Sequence, residues 1–391
     1  IEIDYKRSGN TYAQPQSKWV MKQVEVHDGH SGDGPDRLLA TYKYEDGYHD
    51  RFERDFYGYG KVIEETKDTG AGDALYRKVI RTYLNSNLYE KGLLESEIVT
   101  DATEKVFTLT KNSYKLYDTA ADVVLKLDGI PSKEIPVVTV FPKLDRTDKG
   151  FYEGTINVST FAGYSGDGLP QSGKTTYTEF KYDKVGNVTY FFDEGDVDTE
   201  GHNDDIFADI TYKDYGETGL YIKDRPETIT VKGGDGKTYR ERTGAYDDKG
   251  NLTKLESLTG TGKPAVIEIT YDQFGNIATF TGAENRDGER EKLTYAYDSQ
   301  VHSYVEKIEF DNTAHVYKSS ATYDYKYGRP LSTTDLNSNV ISYVYDKFGR
   351  AEKIYGPYDK PGKGIATIDF DYHPRDLPAW ALTKNKEHWD S

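Results

Sequence analysis

No cysteine occurs anywhere in the 391 residues, which excludes disulfide scaffolds, thiol nucleophiles and zinc sites built on thiolates. Methionine is almost as scarce. Met21 is the only one, and the chain opens Ile1-Glu2-Ile3-Asp4 without an initiator, so a piece of a longer polypeptide is expected. No window approaches the apolar run that a membrane span needs, and no signal peptide opens the chain. Apolar side chains make up only 36%, so any core must be thin or built from amphipathic residues. Positive charge is in deficit too. With 50 Lys and Arg against 67 Asp and Glu, the net charge is −17, and such a chain repels nucleic acid and anionic lipid at long range.

What the chain does have is tyrosine: 35, against 15 Phe and 3 Trp. A phenol packs its ring while the hydroxyl reaches water or a polar partner. That suits a sheet with one packed face and one wet face, and Tyr with Thr favours strands. The length predicts two or three domains, or one long repetitive assembly.

Over residues 1–145 strand signals alternate with polar insertions. Trp19–Val26 ends in alternation, a turn at His27-Asp28-Gly29-His30 follows, and the loop from Ser31 to Asp36 is dense in turn formers. Leu39–Tyr44 reads as a strand closed by Glu45-Asp46-Gly47. From Ala74 to Leu84 the apolar residues Leu75, Val79, Ile80, Tyr83 and Leu84 fit a helical stripe, although the surroundings are β-like. Two apolar strands between Val123 and Phe141 are separated by Asp128-Gly129-Ile130-Pro131. Around 142–175, Gly150, Gly154, Gly163, Gly166, Gly168 and Gly173, with Pro170, predict loops or an interdomain connection. We therefore divide the chain at 145/146.

The second part, 146–391, is repetitive. Gly/Asp-rich interruptions recur at 193–205, 233–236, 259–263 and 284–289. Four copies of one motif stand out, Tyr182-Asp183-Lys184-Val185-Gly186-Asn187, Tyr246-Asp247-Asp248-Lys249-Gly250-Asn251, Tyr271-Asp272-Gln273-Phe274-Gly275-Asn276 and Tyr345-Asp346-Lys347-Phe348-Gly349-Arg350. Tyr323–Arg329 carries one extra residue, Tyr212–Gly216 is degenerate, and Tyr297-Asp298 begins another. In each copy Tyr ends a strand and Asp opens a turn by accepting from a backbone N–H ahead of it. Gly takes the positive-φ position, and an apolar residue such as Val188, Leu252 or Ile277 starts the return. Hairpins of this kind are marginal alone but can pair edge to edge into one sheet. The fold class is therefore all-β, built of irregular antiparallel hairpin repeats.

These copies resemble the YD-repeat, or RHS (rearrangement hotspot), family. More specifically, the chain is similar to the B component of bacterial Tc insecticidal toxin complexes and its SpvB-like relatives. Asn10–Pro15 with Lys18-Trp19-Val20, and the string Tyr48–Val62 containing Glu53-Arg54-Asp55-Phe56-Tyr57-Gly58-Tyr59-Gly60, look like the middle region of such proteins. Asp324–Pro330, Thr334–Asn339 and the copy at 345–350 match the family's repeat spacing. The resemblance implies a B-component middle-region-like β domain at 1–145 and an RHS/YD shell segment at 146–391, part of a curved sheet or hollow shell. It also implies an enclosed toxic C-terminal polypeptide and other toxin-complex subunits as partners, and a secreted or cell-surface location. The family's Asp-Pro-x-Gly core motif and its upstream propeller repeats are missing from this sequence and would lie outside it.

Chemical motifs are weak. A glycosidase needs two carboxylates about 5–10 Å apart, one with a raised pKa, and sequence proximity among so many acids does not supply that. The histidines are His27, His30, His49, His202, His302, His315, His373 and His388; His27 and His30 have ligand-like spacing, but only Asp28 or Asp33 could join them. Gly163-Tyr164-Ser165-Gly166 lacks the nucleophile-elbow frame. The densest acidic patch is Asp193, Glu194, Asp196, Asp198, Glu200, Asp204 and Asp205. It imitates half a calcium loop, but Phe207 stands where the bidentate Glu belongs, so this is not an EF-hand; a solvated loop is the reading adopted, with Ca²⁺ gathered by the same oxygens in another geometry as the alternative. Asn157, Asn187 and Asn251 head glycan-acceptor triplets, which carry no meaning for the bacterial source that the resemblance implies. No catalytic, cofactor-binding or metal residue is assigned, and no cofactor is expected. The sequence reading is a non-catalytic structural segment. The alternative is a surface adhesion or carbohydrate-binding module, with exposed tyrosines as stacking platforms.

Overall fold

The computed structural model describes residues 1–29, 36–121, 123–125, 139–160, 169–170, 172–198, 200–216, 220–260, 262–312, 315–362 and 364–386. The turn residues Ser31–Pro35 with His30, the Asp128–Pro131 break, Gly163–Gly168 and His388 therefore lie outside the described residues.

Two compact units divide the chain, the first comprising 1–212 and 228–241, the second 213–227 and 242–391. The first unit begins with β1 (Glu2–Arg7), β2 (Trp19–His27), β3 (Arg37–Asp50), β4 (Asp55–Asp68), β5 (Ala74–Tyr83) and β6 (Leu94–Asp101). It continues through β7 (Lys105–Asp118), the short β8 (Val123–Leu125), β9 (Val140–Asn157), β10 (Lys174–Tyr182), β11 (Val188–Asp193) and β12 (Ile206–Tyr212). Each strand from β1 to β7 pairs antiparallel with the next, β9 then pairs with β7, and β10, β11 and β12 follow in order. β8 lies along the far end of β7. Two further strands, β13 (Pro226–Gly233) and β14 (Thr238–Tyr246), are shared between the units.

The second unit is a plain meander: β15 (Leu252–Ser257), β16 (Ala265–Tyr271), β17 (Ile277–Glu284), β18 (Arg290–Tyr297), β19 (Val305–Asn312) and β20 (His315–Asp324). It ends with β21 (Arg329–Thr334), β22 (Val340–Tyr345), β23 (Ala351–Tyr355), β24 (Ile368–His373) and β25 (Trp380–Asn385). Neighbours in sequence are neighbours in the sheet throughout. The all-β hairpin architecture read from the repeats holds. The change of sequence texture at 145/146 falls inside β9.

Three local expectations are settled differently or more sharply. The ambiguous stretch from Ala74 is strand β5, since Ile80 sits between Ile63 and Ile98 on its neighbours and gains β pairing on both sides. Strand β3 does not stop at Glu45-Asp46-Gly47. Asp46 takes φ 55°, but the register is the same at Glu45–Lys61 and Gly47–Tyr59, and the strand runs on to Asp50. The register shifts only between Tyr48–Gly58 and His49–Phe56, where Tyr57 is the extra residue of a bulge on β4, which bends a strand without ending it. Residues 142–157 are not loop but most of β9. Gly150 is a strand residue because the Tyr152 ring occupies the space its side chain would need.

Tyr152 also anchors the one buried apolar cluster among the described residues, formed by Val106, Leu109, Tyr152 and Leu169, with Ile98, Ile156 and Val158 packed against it. The pairs Val106–Ile156 and Thr108–Phe151 leave residues 152–155 bulged opposite Phe107, with Glu153 and Gly154 at positive φ. Tyr152 is 1% exposed, and its hydroxyl donates to the Pro170 carbonyl at 3.1 Å.

Charge is organised inside the first unit as well. Glu65 on β4 is buried between Lys43 (2.5 Å) and Lys67 (2.7 Å). Burial alone would raise its pKa, but the two ammonium groups outweigh that and hold it at about 2, below the ordinary 4.5. A carboxylate depressed in the folded state stabilises above its unfolded pKa and loses that contribution as pH falls towards the folded value. Urea midpoints should therefore drop between about pH 4.5 and pH 2, and Glu65→Gln should flatten that drop while lowering the neutral-pH midpoint. Parallel profiles for parent and variant would show that Glu65 contributes nothing to acid sensitivity.

Candidate functional site: the repeated turn and its tyrosine

The motif Asp builds the turn by itself. In the copy at 271–276, Asp272 Oδ1 accepts from the N–H groups of Phe274 (2.8 Å) and Asn276 (2.9 Å), and Oδ2 accepts from Asn276 Nδ2 (3.0 Å). Backbone bonds from Asp272 N–H to the Asn276 carbonyl and from Gly275 N–H to the Asp272 carbonyl close the loop. The same bonding recurs at Asp183, Asp247 and Asp346, where Arg350 replaces Asn as the partner of Oδ2. The glycines that follow have φ of 97°, 84°, 88° and 81° at Gly186, Gly250, Gly275 and Gly349, as the left-handed residue of a three-residue hairpin loop requires. Burial opposes ionisation of Asp272 and Asp346, but the donors around them prevail and keep both below the ordinary carboxylate range.

Two copies escape the motif. Asp335–Asn339 makes the full set of bonds with Ser338 at φ 66° in the glycine place. Asn285–Glu289 substitutes Asn for Asp, with Gly288 at φ 82°. The degenerate Tyr297-Asp298 opens a longer loop. Asp298 is 1% exposed and accepts from the N–H groups of Gln300, Val301, His302, Ser303 and Tyr304, which holds its carboxyl far below the ordinary range although burial opposes this.

The tyrosine does something the sequence does not reveal: its hydroxyl reaches back to the preceding hairpin. Tyr271 donates to the Leu252 carbonyl at 2.9 Å, and Leu252 is the first residue of the previous returning strand. The last backbone pair between those strands is Lys254–Glu268, so the hydroxyl ties the two hairpins beyond the point where main-chain pairing stops. In the first unit the same tie joins Tyr182 to Leu144 and Tyr212 to Val188. In the second it joins Tyr246 to Pro226, Tyr297 to Ile277, Tyr345 to Pro330 and Tyr372 to Ala351. Tyr323 departs from the pattern and stacks on Tyr304, with ring centroids 5.1 Å apart.

The two faces of the second unit differ. One carries a cross-strand apolar row: Leu255 opposite Ile267, then Ile269 opposite Phe280, Phe280 opposite Leu293, Leu293 opposite Phe310, and Phe310 opposite Tyr317. The other carries Lys254–Glu268, Thr270–Thr279–Thr294–Glu309–Lys318 and Lys292–Asp311, with ion pairs from Arg290 to Glu268 and from Lys318 to Glu309.

Comparison with known proteins gives this geometry a context. Residues 1–92 match the family model described as the insecticide toxin TcdB middle/N-terminal region. The resemblance to the toxin B component holds. No curated protein matches the chain. Among solved structures, the TcdB2-TccC3 crystal structure aligns with a TM-score of 0.66 at 11% identity, over 98% of this chain and 27% of that one. The TcdB2-TccC3-Cdc42 structure gives 0.64 at 11%, over 95% and 26%. A mutated Tc holotoxin pore from Photorhabdus luminescens gives 0.64 at 12%, over 92% and 24%. At such identities the likeness is one of fold, and the chain spans about a quarter of the length of those chains.

The chemically suggestive residues are mostly engaged structurally. Asn187 and Asn251, heads of two glycan-acceptor triplets, donate to Asp183 and Asp247. His302 stacks on Phe274 at 4.0 Å, and His373 on Trp380 at 3.5 Å. His27 lies beside Glu25 and Glu2 on an exposed edge, while its proposed companion His30 is outside the described residues. A cleft in the first unit is lined by Arg146, Asp148, Tyr177 and Glu194. Its guanidinium is already bonded to Asp148 and Glu179 and covers the Tyr177 ring at 3.5 Å. Within the acidic patch, Lys174 pairs with Asp196 at 2.7 Å, and Asp204 accepts from the Asp196 N–H. Glu194, His202 and Asp205 come together instead, a grouping that the sequence offered only as scattered members of one loop.

Proposed function

We propose that this chain is a non-catalytic wall segment of a secreted, toxin-type β-shell that encloses, protects and helps deliver a toxic C-terminal polypeptide. The observation that carries the proposal is the recurrent hydroxyl tie. A hairpin closed by its own Asp and fastened to its predecessor by its own Tyr can be added indefinitely, giving a sheet without a deep core. The family match at 1–92 and the fold likeness to TcdB2-TccC3 support the toxin setting. We take 1–145 as the middle-region-like part and 146–391 as the YD-repeat part, in which the motif ties begin at Tyr182. The cross-strand row on one face, with Phe280, Phe310 and Tyr317 aligned in it, favours a wall; the turn-tip rings Phe274 and Phe348, although touched by His302 and Arg350, stay 52% and 69% exposed and are what an adhesin would use.

The test is protection. A full-length protein carrying this chain, coexpressed with a TccC3-type partner, should shield the partner's C-terminal part from protease, and deletion of residues 246–297 should expose it. Unchanged shielding after the deletion, or selective binding of the chain to arrayed glycans, would favour the adhesion reading instead.

A further inference from the structure

The loop from Glu194 to Asp205 joins β11 to β12, and three of its side chains converge. His202 Nδ1 lies 3.5 Å from Glu194 Oε1 and 3.6 Å from Asp205 Oδ2, and all three ligand-capable atoms fall within 4.8 Å of one another. Asp205 is 5% exposed, and its Oδ1 is buried without a hydrogen-bond partner. An orphaned buried carboxylate oxygen is costly and calls for a cation or donor; it belongs to the carboxylate whose other oxygen, Oδ2, faces His202. Among the described residues no lysine or arginine pairs with Glu194 or Asp205, whereas Asp196 in the same loop has Lys174.

The spacing is also informative. At 3.5–3.6 Å the imidazole is too far for a good hydrogen bond to either carboxylate. Ligands held tetrahedrally at about 2.0–2.1 Å from an ion stand about 3.3–3.4 Å apart. The loop backbone fixes this arrangement. The Asp205 carbonyl accepts from Gly234 N–H at 2.9 Å, and the His202 carbonyl occupies the place where a side chain at residue 234 would sit. His202 is 63% exposed at the mouth, which leaves an entry path. We propose that Glu194, His202 and Asp205 form a structural site for one first-row divalent transition-metal ion of the zinc class, clipping the β11–β12 loop shut. An imidazole in a three-atom set argues against calcium, which gathers six to eight oxygens.

The test uses the whole chain, stripped with chelator and titrated calorimetrically with Zn²⁺, with Co²⁺ as a spectroscopic substitute. One Zn²⁺ per chain, intense visible Co²⁺ bands of a tetrahedral site, and retention of both in the Glu25→Gln control are expected. His202→Ala and Asp205→Asn should each weaken Zn²⁺ at least ~100-fold, since even partners that only orient a ligand are worth 10–100-fold. Metal-free Asp205→Asn should unfold at a urea concentration no lower than the parent, which shows that the variant folds. No Zn²⁺ binding by the parent, or binding that persists in either ligand variant, overturns the site.

Discussion

Replacing Tyr152 with alanine should destabilise the first unit by about 3–5 kcal/mol, the range for emptying a buried aromatic site. The ring is 1% exposed in the Val106–Leu109–Leu169 cluster, which is thin, so little nearby apolar material can collapse into the space. Tyr152→Phe keeps the ring and loses the hydroxyl with its bond to the Pro170 carbonyl, costing about 1 kcal/mol. Gly150 makes the test specific. A side chain there would run into the Tyr152 ring, so Gly150→Ala should be costly in the parent and much cheaper once Tyr152 is alanine. The coupling should reach about 0.5–3 kcal/mol, as found for residues in contact. Urea unfolding of the parent, both singles and the double variant measures it. A Tyr152→Ala cost below about 1 kcal/mol, or additivity with Gly150→Ala, would mean that the cluster does not hold the unit together.

The same residues show where the sequence is readable. A turn is a local device, and Tyr-Asp-x-x-Gly names all of its parts within six positions, so the hairpins at 182–187, 246–251, 271–276 and 345–350 could be read directly. The turn at Asp335–Asn339 could be reached only through the family resemblance, and 284–289 only as a Gly/Asp-rich break, because the turn's bonds tolerate Ser338 in the glycine place and Asn285 in the Asp place. Gly150 misled because a glycine in a strand is normally a weakness, and the ring that covers it belongs to a residue whose packing depends on Leu169. The hydroxyl ties were not legible at all. Their acceptors are carbonyls 15 to 38 residues away, and every residue type offers one. The only hint was that each good copy is headed by Tyr and never by Phe. Glu194, His202 and Asp205 were likewise hidden, since only the folded loop separates them from the other acids around them.

Tyr271 is where turn, strand and tie meet, and Tyr271→Ala should cost the second unit about 2–3 kcal/mol, less than a fully buried ring because this one is half-buried. Tyr271→Phe isolates the tie to Leu252, worth about 1 kcal/mol. The turn contributes separately. A Cβ at Gly275 meets nothing within 4 Å, so Gly275→Ala pays only for its left-handed backbone, φ 88°, on the order of 1 kcal/mol. Gly349→Ala should cost more than Gly275→Ala, because its Cβ would meet the Arg329 guanidinium that lies over Tyr345. If the hydroxyl binds hairpin to hairpin, loss of Tyr271 must also loosen the strand it reaches. Residue-level hydrogen exchange should therefore show faster opening at 252–257 in Tyr271→Ala and Tyr271→Phe, but not in Gly275→Ala, whose effect should stay within 265–284. Exchange confined to 265–284 in all three would mean that each hairpin stands alone. Adjacent hairpins would then be joined by backbone pairing only, and the sheet would have no use for a tyrosine at the head of its repeat.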